Sequence, residues 1–177
     1  MKKAIAMVLA VMIGLTVMAC DSGGDKEHPD KKLWGTRIDG GAVATVSVSV
    51  ASNGVCTIVV GGEAEEEGAV WKAIAEYSYT PAANTEYEYK FEAWTASGSR
   101  NLLVQFNDDV DNKEWFAASF NINSTRTIYI LNTKTTCEWE NWTRTSDRYV
   151  GNLQFHCADQ LGTFYVRMIS ITPLPSP

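Results

Sequence analysis

The sequence predicts an all-β fold, an antiparallel β-sandwich of the jelly-roll type. Three observations lead to this prediction. Many short stretches alternate apolar and polar residues, turn-forming residues separate these stretches, and no helical periodicity appears after the first 20 residues. The chain has 177 residues, which is enough for one domain with a sizeable core once a leader is removed.

The most regular alternation lies in residues 87–106, which reads as two strands joined by a short turn. The apolar positions of its first half are Tyr87, Tyr89, Phe91 and Ala93. Because side chains two apart share a face of a strand, these residues are predicted to face the core. Trp94 falls on the opposite, polar face, where a large aromatic side chain requires an explanation.

Further strands are predicted at residues 46–50, 55–60, 71–80, 116–122, 127–131, 153–157 and 164–171. Asn53-Gly54 predicts a tight hairpin between the first two, since both residues tolerate positive φ. Residues 133–151 form a long polar segment with three aromatic residues, Trp139, Trp142 and Tyr149. These aromatics are expected either to form a groove wall or to pin the loop as a small apolar cluster.

The N-terminus has the organisation of an export signal. Lys2 and Lys3 precede an apolar run over residues 4–16, and Cys20 follows a small residue. This arrangement resembles a bacterial lipoprotein lipobox, which implies cleavage before Cys20 and acylation of its thiol; the alternative is a plain secretory signal with an incidental cysteine. We therefore expect a signal peptide (1–19), a flexible tether (20–32), a folded domain (33–173) and a short tail (174–177). The expected location is the cell envelope, at a bacterial membrane or the cell surface.

The charge of the chain limits its partners. The formal net charge is −6, and loss of residues 1–19 removes two lysines and no acid, so the mature chain is more acidic still. An acidic protein repels phosphate backbones, so nucleic acid is excluded as an expected partner. Membrane attachment is expected through the acylated Cys20 and not through a basic patch.

Three further cysteines, Cys56, Cys137 and Cys157, allow one disulfide in three possible pairings. The spacing matches no zinc motif, and the chain has only two histidines, so no metal site is predicted from the sequence pattern.

Several segments together resemble the carbohydrate-binding modules of families 4, 9 and 22. The matching segments are an early Trp34, the strand at 54–60, Trp71, the strand at 87–93 and the aromatic-rich end at 153–171. The resemblance implies a galactose-binding-like jelly roll with a glycan groove on the concave face of one sheet and no catalytic machinery. It also implies a structural calcium, held by an Asp in the last strand, but Arg167 stands at that position here.

A carbohydrate site needs aromatic platforms for the C–H faces of sugar rings and side chains that hydrogen-bond their hydroxyl groups. The predicted carbohydrate-binding residues are Trp94, Gln105, Gln154, His156 and Trp71. Trp94 is the expected platform, with Gln105 beside it on the next strand and the other polar residues joining the same groove. The alternatives are a loop-covered Trp94, ordinary surface positions for the polar residues, and a core position for Trp71, which alternation places with Ala73 and Tyr77.

Hydrolysis is not predicted. A glycosidase needs two carboxylates across the scissile bond, and Glu76, Glu88 and Glu92 are more typical of a solvated strand face. The predicted function is non-catalytic binding of a polysaccharide or oligosaccharide by a lipid-anchored protein. The alternative is a surface lipoprotein that binds a protein partner or a host component.

Overall fold

The protein is an antiparallel β-sandwich of two five-stranded sheets. The computed structural model describes residues 28–66, 68–79, 85–108, 113–132 and 151–175. Sheet A has the strand order β1-β4-β9-β6-β7, and sheet B has the order β2-β3-β10-β5-β8. Consecutive strands frequently lie in different sheets, as in a jelly roll, so the predicted fold class is confirmed.

The ten described strands are β1 (Trp34–Ile38), β2 (Ala44–Val50), β3 (Cys56–Gly62), β4 (Ala73–Ser78), β5 (Tyr87–Thr95), β6 (Ser99–Asp108), β7 (Lys113–Asn123), β8 (Thr127–Asn132), β9 (Gly151–His156) and β10 (Gly162–Pro173). Short 3₁₀ turns at Pro29–Lys32 and Val70–Lys72 precede β1 and β4. Among the described residues, no helix is long and apolar enough to cross a bilayer. Trp139, Trp142 and Tyr149, the aromatic residues of the long polar segment, lie outside the described residues.

The core forms between the inner faces of the two sheets, with β5 at its centre. Tyr87, Tyr89, Phe91 and Ala93 are at most 4% exposed, as the alternation of the sequence predicted. The Phe91 ring packs edge-on against Phe155 of sheet A, with ring centroids 5.7 Å apart. This contact joins the two sheets through their most buried aromatic side chains.

The predicted pairing of the two strands in residues 87–106 is wrong. β5 pairs with β10 and β8 in sheet B, whereas β6 pairs with β7 and β9 in sheet A. The short connection between them crosses from one sheet to the other. At this crossing the Thr95 hydroxyl donates to the Gly98 carbonyl at 2.9 Å, and the Ala96 amide donates to the Thr163 carbonyl at 2.9 Å.

The folded domain also begins earlier than the predicted boundary of the tether at residue 32. The 3₁₀ turn Pro29–Lys32 is capped by the His28 side chain, which accepts from the Asp30 amide at 3.2 Å. The His28 ring lies so close to Gly54 in the β2–β3 turn that an added Cβ there would approach it to 2.9 Å. Gly54, whose φ is +80°, therefore provides both the turn conformation and the space for His28.

Both described cysteines, Cys56 and Cys157, are free and fully buried in the core. A Cys56–Cys157 disulfide, one of the three predicted pairings, is therefore absent. Burial raises the pKa of each thiol to about 12, because the charged thiolate is poorly solvated in the core. Cys20 and Cys137 lie outside the described residues.

Candidate functional site

The outer face of sheet A carries a row of polar side chains that runs across four adjacent strands. Gln105 of β6 is the register partner of Gln154 of β9, and Gln154 is in turn the partner of Glu76 of β4. His156 lies two residues further along β9, and Arg37 of β1 lies next to it across Ile74. We call these five residues, Arg37, Glu76, Gln154, His156 and Gln105, the polar array.

The hydrogen bonds within the polar array have a single direction. The Gln154 amide nitrogen donates to Glu76 at 3.2 Å, and the Asn152 amide nitrogen donates to the other oxygen of the same carboxylate at 3.1 Å. Because an ionised carboxylate only accepts, the Gln154 carbonyl must face His156, whose Nε2 lies 3.1 Å away. His156 therefore donates from Nε2, and this network assigns the tautomer with an unprotonated Nδ1.

Burial keeps His156 in this neutral form. Its side chain is 3% exposed, and desolvation together with the positive charge of Arg37 lowers the pKa of His156 from 6.5 to about 4. Within the described part of the chain, His156 Nδ1 is buried and has no hydrogen-bond partner. The array thus contains a fixed acceptor that is not used by the described residues.

The exposure of the array increases toward β1. Gln154 is fully buried and Gln105 is 7% exposed, whereas the Arg37 side chain is 35% exposed and lies 3.7 Å from Glu76. Trp71 lies in the 3₁₀ turn just before β4, three residues ahead of Ile74, and is 48% exposed. The alternative that placed Trp71 in the core is therefore wrong, because the strand begins only at Ala73 and alternation does not extend back to Trp71.

The turn that carries Trp71 is fixed by a charged anchor. Lys72 donates to Glu65 at 2.9 Å, and the same carboxylate accepts from the Val43 and Ala44 amides at 2.6 Å and 3.2 Å. The bond from Lys72 and the two amides lower the pKa of Glu65, because they stabilise its ionised form. Glu65 belongs to a glutamate-rich stretch, residues 63–67, yet it is 8% exposed and holds two segments together.

Trp94 lies on the other side of the molecule, on the outer face of sheet B. Its ring stacks on Tyr165 of β10, with centroids 5.1 Å apart and an interplanar angle of 21°. From the β8 side, the guanidinium of Arg126 lies over the Trp94 ring, 4.8 Å from its centroid. Tyr165 on β10 and Arg126 in the β7–β8 turn therefore partly cover Trp94, which explains why a tryptophan is stable on a polar face.

The structure separates the predicted site residues into two groups. It brings Gln105, Gln154 and His156 together on sheet A, with Trp71 at the end of the same sheet. The prediction that Trp94 shares their groove is wrong, because β5 and β6 belong to different sheets. The carbohydrate-binding role of each residue stays a prediction.

Sequence reasoning missed two partners in the array. Arg37 was missed because β1, with its glycine and single buried tryptophan, gave no alternation signal. Glu76 was placed correctly on the outer face of its strand but was considered only as a catalytic carboxylate. Its position beside Gln154 depends on strand order, which the sequence does not contain.

The three carboxylates that the sequence offered for hydrolysis, Glu76, Glu88 and Glu92, do not form a glycosidase pair. Glu76 lies on sheet A, whereas Glu88 and Glu92 lie on sheet B. Glu88 and Glu92 are four residues apart on one strand, about 13 Å at the rise of a β-strand, which exceeds the separation used by either class of glycosidase.

The residues at the position implied for calcium do not fit that ion. Arg167 donates to Glu92 at 2.9 Å, so a cation stands where the resemblance expects an acidic ligand. No group of three or more histidine, cysteine, aspartate or glutamate side chains that could hold a metal occurs in the ranges that the structure describes.

No protein-family model matches the sequence, and no curated protein matches it. Solved structures do match its fold. A structure of a CBM4 domain superposes with a TM-score of 0.64 at 16% identity, over 85% of this chain and 91% of that one. The chain has the fold of a carbohydrate-binding module.

Two further carbohydrate-binding modules show the same similarity. The family 11 module from Clostridium thermocellum in complex with a β-1,3-1,4-mixed-linked tetrasaccharide has a TM-score of 0.53 at 13% identity, over 80% of this chain and 88% of that one. The CBM22-1 xylan-binding domain from Paenibacillus barcinonensis Xyn10C has a TM-score of 0.51 at 12% identity, over 86% of this chain and 92% of that one. At these identities the similarity shows the fold alone.

Proposed function

We propose that this protein binds a neutral polysaccharide or oligosaccharide without catalysis, through the outer face of sheet A. The observation that carries the proposal is the polar array, in which amide, imidazole, carboxylate and guanidinium groups from four adjacent strands are fixed side by side. Sugar recognition requires several hydrogen-bonding groups at fixed positions, and a rigid sheet provides them at low entropic cost.

The proposal assigns different roles to members of the array. Arg37 and Trp71, the exposed residues, would contact the sugar directly, Trp71 by stacking on a ring face. Gln154 and Asn152 hold the Glu76 carboxylate in place and would act as positioning residues. Gln105, which is 7% exposed, would exchange hydrogen bonds with a sugar hydroxyl group, and His156, which is bonded to Gln154, would act as a positioning residue.

Affinity electrophoresis of the domain in gels that contain mixed-linkage β-glucan, xylan or mannan tests the proposal. We expect retarded migration in at least one gel, and Trp71→Ala should reduce the affinity roughly 10-fold, the loss of about 1.4 kcal/mol. Gln105→Ala should weaken it as well. Ser47→Ala, an exposed position on sheet B, is the matched control and should leave migration unchanged. Normal migration of the unmodified domain in every polysaccharide would contradict the proposal.

A protein partner is the second candidate function, and one observation favours it. Ile128 and Ile130 are 51% and 49% exposed on β8, which is an edge strand of sheet B. An exposed edge with apolar side chains is a common site of strand addition. Cross-linking of the domain to envelope or host proteins, lost in an Ile128→Lys variant and unaffected by Trp71→Ala, would support this function over the first.

We further propose that the protein is exported and attached to a bacterial membrane through acylated Cys20. The support is the order of the basic start, the apolar run and the cysteine in the sequence. Metabolic labelling with a fatty-acid analogue should label the full-length protein and not a Cys20→Ser variant. Equal labelling of both, or labelling of neither, would contradict lipid attachment.

A further inference from the structure

The stacked pair Trp94 and Tyr165 forms one wall of a cleft on the outer face of sheet B, opposite the proposed glycan face. The cleft has a volume of about 560 Å³ and crosses the strand ends from the β2–β3 turn to the β7–β8 turn. This volume lies within the range of small-molecule sites. Three adjacent strands, β3, β10 and β5, contribute to its floor and span about 10 Å at the usual strand spacing.

Small side chains leave room beside the Tyr165 ring. Trp94 covers one face of this ring, and the neighbour on the other side is Thr57, its register partner on β3. The remaining residues that line the cleft are Ala51, Asn53, Val55, Thr95, Ala96, Ser124 and Arg126. A flat ring can therefore lie against the free face of Tyr165, with hydroxyl and amide groups around its edge.

Arg126 gives the cleft its charge. It is the only charged residue among those that line the cleft, and its side chain is 43% exposed. Arg126 and Arg167 both contact the same oxygen of Glu92, so this cluster carries a net positive charge in a chain whose overall charge is −6. A single contact to one carboxylate oxygen leaves most of the guanidinium donors available for a second anion.

We propose that this cleft binds a short segment of a carboxylated saccharide, such as an oligouronate. One ring would stack on Tyr165 beside Thr57 and Asn53, and the carboxylate of a uronate unit further along the same chain would bind Arg126 beside Ser124. The site is separate from the polar array, so it does not depend on the function proposed for sheet A. The protein would then contact neutral and acidic saccharides on opposite faces.

Calorimetric titration with trigalacturonate and with its fully methyl-esterified form tests the proposal, because the two ligands share their shape and differ in charge. We expect binding of the acid that is at least about 10-fold tighter than binding of the ester, and that weakens as salt is raised. Arg126→Gln should remove this preference for the acid. Equal affinity for the two forms, or no binding of the acid at millimolar concentration, would overturn the proposal.

Two variants locate the site. Thr57→Trp fills the cleft from the β3 side and should abolish binding of trigalacturonate, while the circular dichroism spectrum stays unchanged. Lys90→Gln is the charge control, because it removes one positive charge, as Arg126→Gln does, from the same face, four residues along β5 from Trp94. It should change the affinity less than about threefold, since charges more than about 8 Å apart are screened at physiological salt. Tight binding that survives both Arg126→Gln and Thr57→Trp would place the acid elsewhere and overturn the assignment. Should Thr57→Trp fail to fold, the indole NMR signal of Trp94 replaces it: a shift on titration of the unmodified domain supports the site, and an unmoved signal overturns it.

Discussion

Acid should destabilise this protein through one buried side chain, His156. The folded pKa of His156 is about 4, against 6.5 for an ordinary histidine, because burial and Arg37 disfavour the imidazolium. The unfolded chain therefore binds a proton below pH 6.5 that the folded chain does not. Stability is fully present above pH 6.5 and falls with a slope approaching 1.36 kcal/mol per pH unit until about pH 4. The total loss is about 3 kcal/mol, a substantial part of the stability of an ordinary domain.

Urea denaturation at pH 7 and pH 4 measures this loss, and His156→Gln is the control. Glutamine keeps a donor toward Gln154 but does not titrate, so the difference in unfolding free energy between the two proteins should change by about 3 kcal/mol over this interval. Carboxylates titrate in both proteins and cancel in the comparison. The chain has two histidines, so the imidazole NMR signal that His156→Gln removes identifies His156 and should titrate near pH 4. A midpoint above pH 6, or a change below 1 kcal/mol, would refute the reasoning.

Three further predictions concern buried polar groups. Arg100→Met should lower the free energy of unfolding, measured by urea denaturation, by about 2–4 kcal/mol. Arg100 is 5% exposed and donates to the Cys157 and Gln160 carbonyls at 2.9 Å and 2.8 Å, and both carbonyls would lose their partner. A loss below about 1 kcal/mol would contradict this role. Glu65→Gln should lower the melting temperature at pH 7 and flatten the fall of the melting temperature below pH 4.5. A carboxylate with a lowered pKa stabilises the fold above its unfolded-state pKa, and this contribution is lost as the pH falls through its folded-state pKa. An unchanged acid profile would show that Glu65 is not the responsible group. Iodoacetamide should leave Cys56 and Cys157 unlabelled in the folded protein, because both thiols are buried and protonated. Peptide mapping should find both labelled in about 6 M guanidinium, a concentration that unfolds most domains. Rapid labelling of either cysteine in the folded protein would contradict the burial.

The sequence was sufficient for the class of fold and for the core of β5. Strict alternation of Tyr87, Tyr89, Phe91 and Ala93 depends only on the two-residue repeat of a strand, which is a local property. The same reasoning failed at the next step, where the short turn after Thr95 was interpreted as a hairpin. A short Ser-Gly turn can join two paired strands or connect the two sheets. Which of these occurs depends on how all the strands divide their apolar faces between the two sheets.

The candidate site was predicted in part for the same reason. Gln105, Gln154 and His156 were chosen as outward polar residues, and each does lie on the outer face of its strand. Their exposure could not be predicted, because burial on the outer face depends on what lies above the sheet and not on strand parity. Arg37 could not be found, since β1 has one buried tryptophan and no regular alternation.

Trp94 shows how an unexpected residue on a polar face can be stabilised without a ligand. A tryptophan exposed on a sheet would present both ring faces to water. Here the Tyr165 ring stacks on Trp94 from the β10 side, and the Arg126 guanidinium lies over the Trp94 ring from the β8 side. The Arg126 guanidinium is in turn oriented by Glu92, which Arg167 also contacts. As a result, an aromatic ring of Tyr165 and a guanidinium group of Arg126 with unused hydrogen-bond donors both line the sheet B cleft. If the sheet B cleft binds an acidic saccharide, Trp94 holds both Tyr165 and Arg126 in position, and Trp94→Ala should weaken trigalacturonate binding.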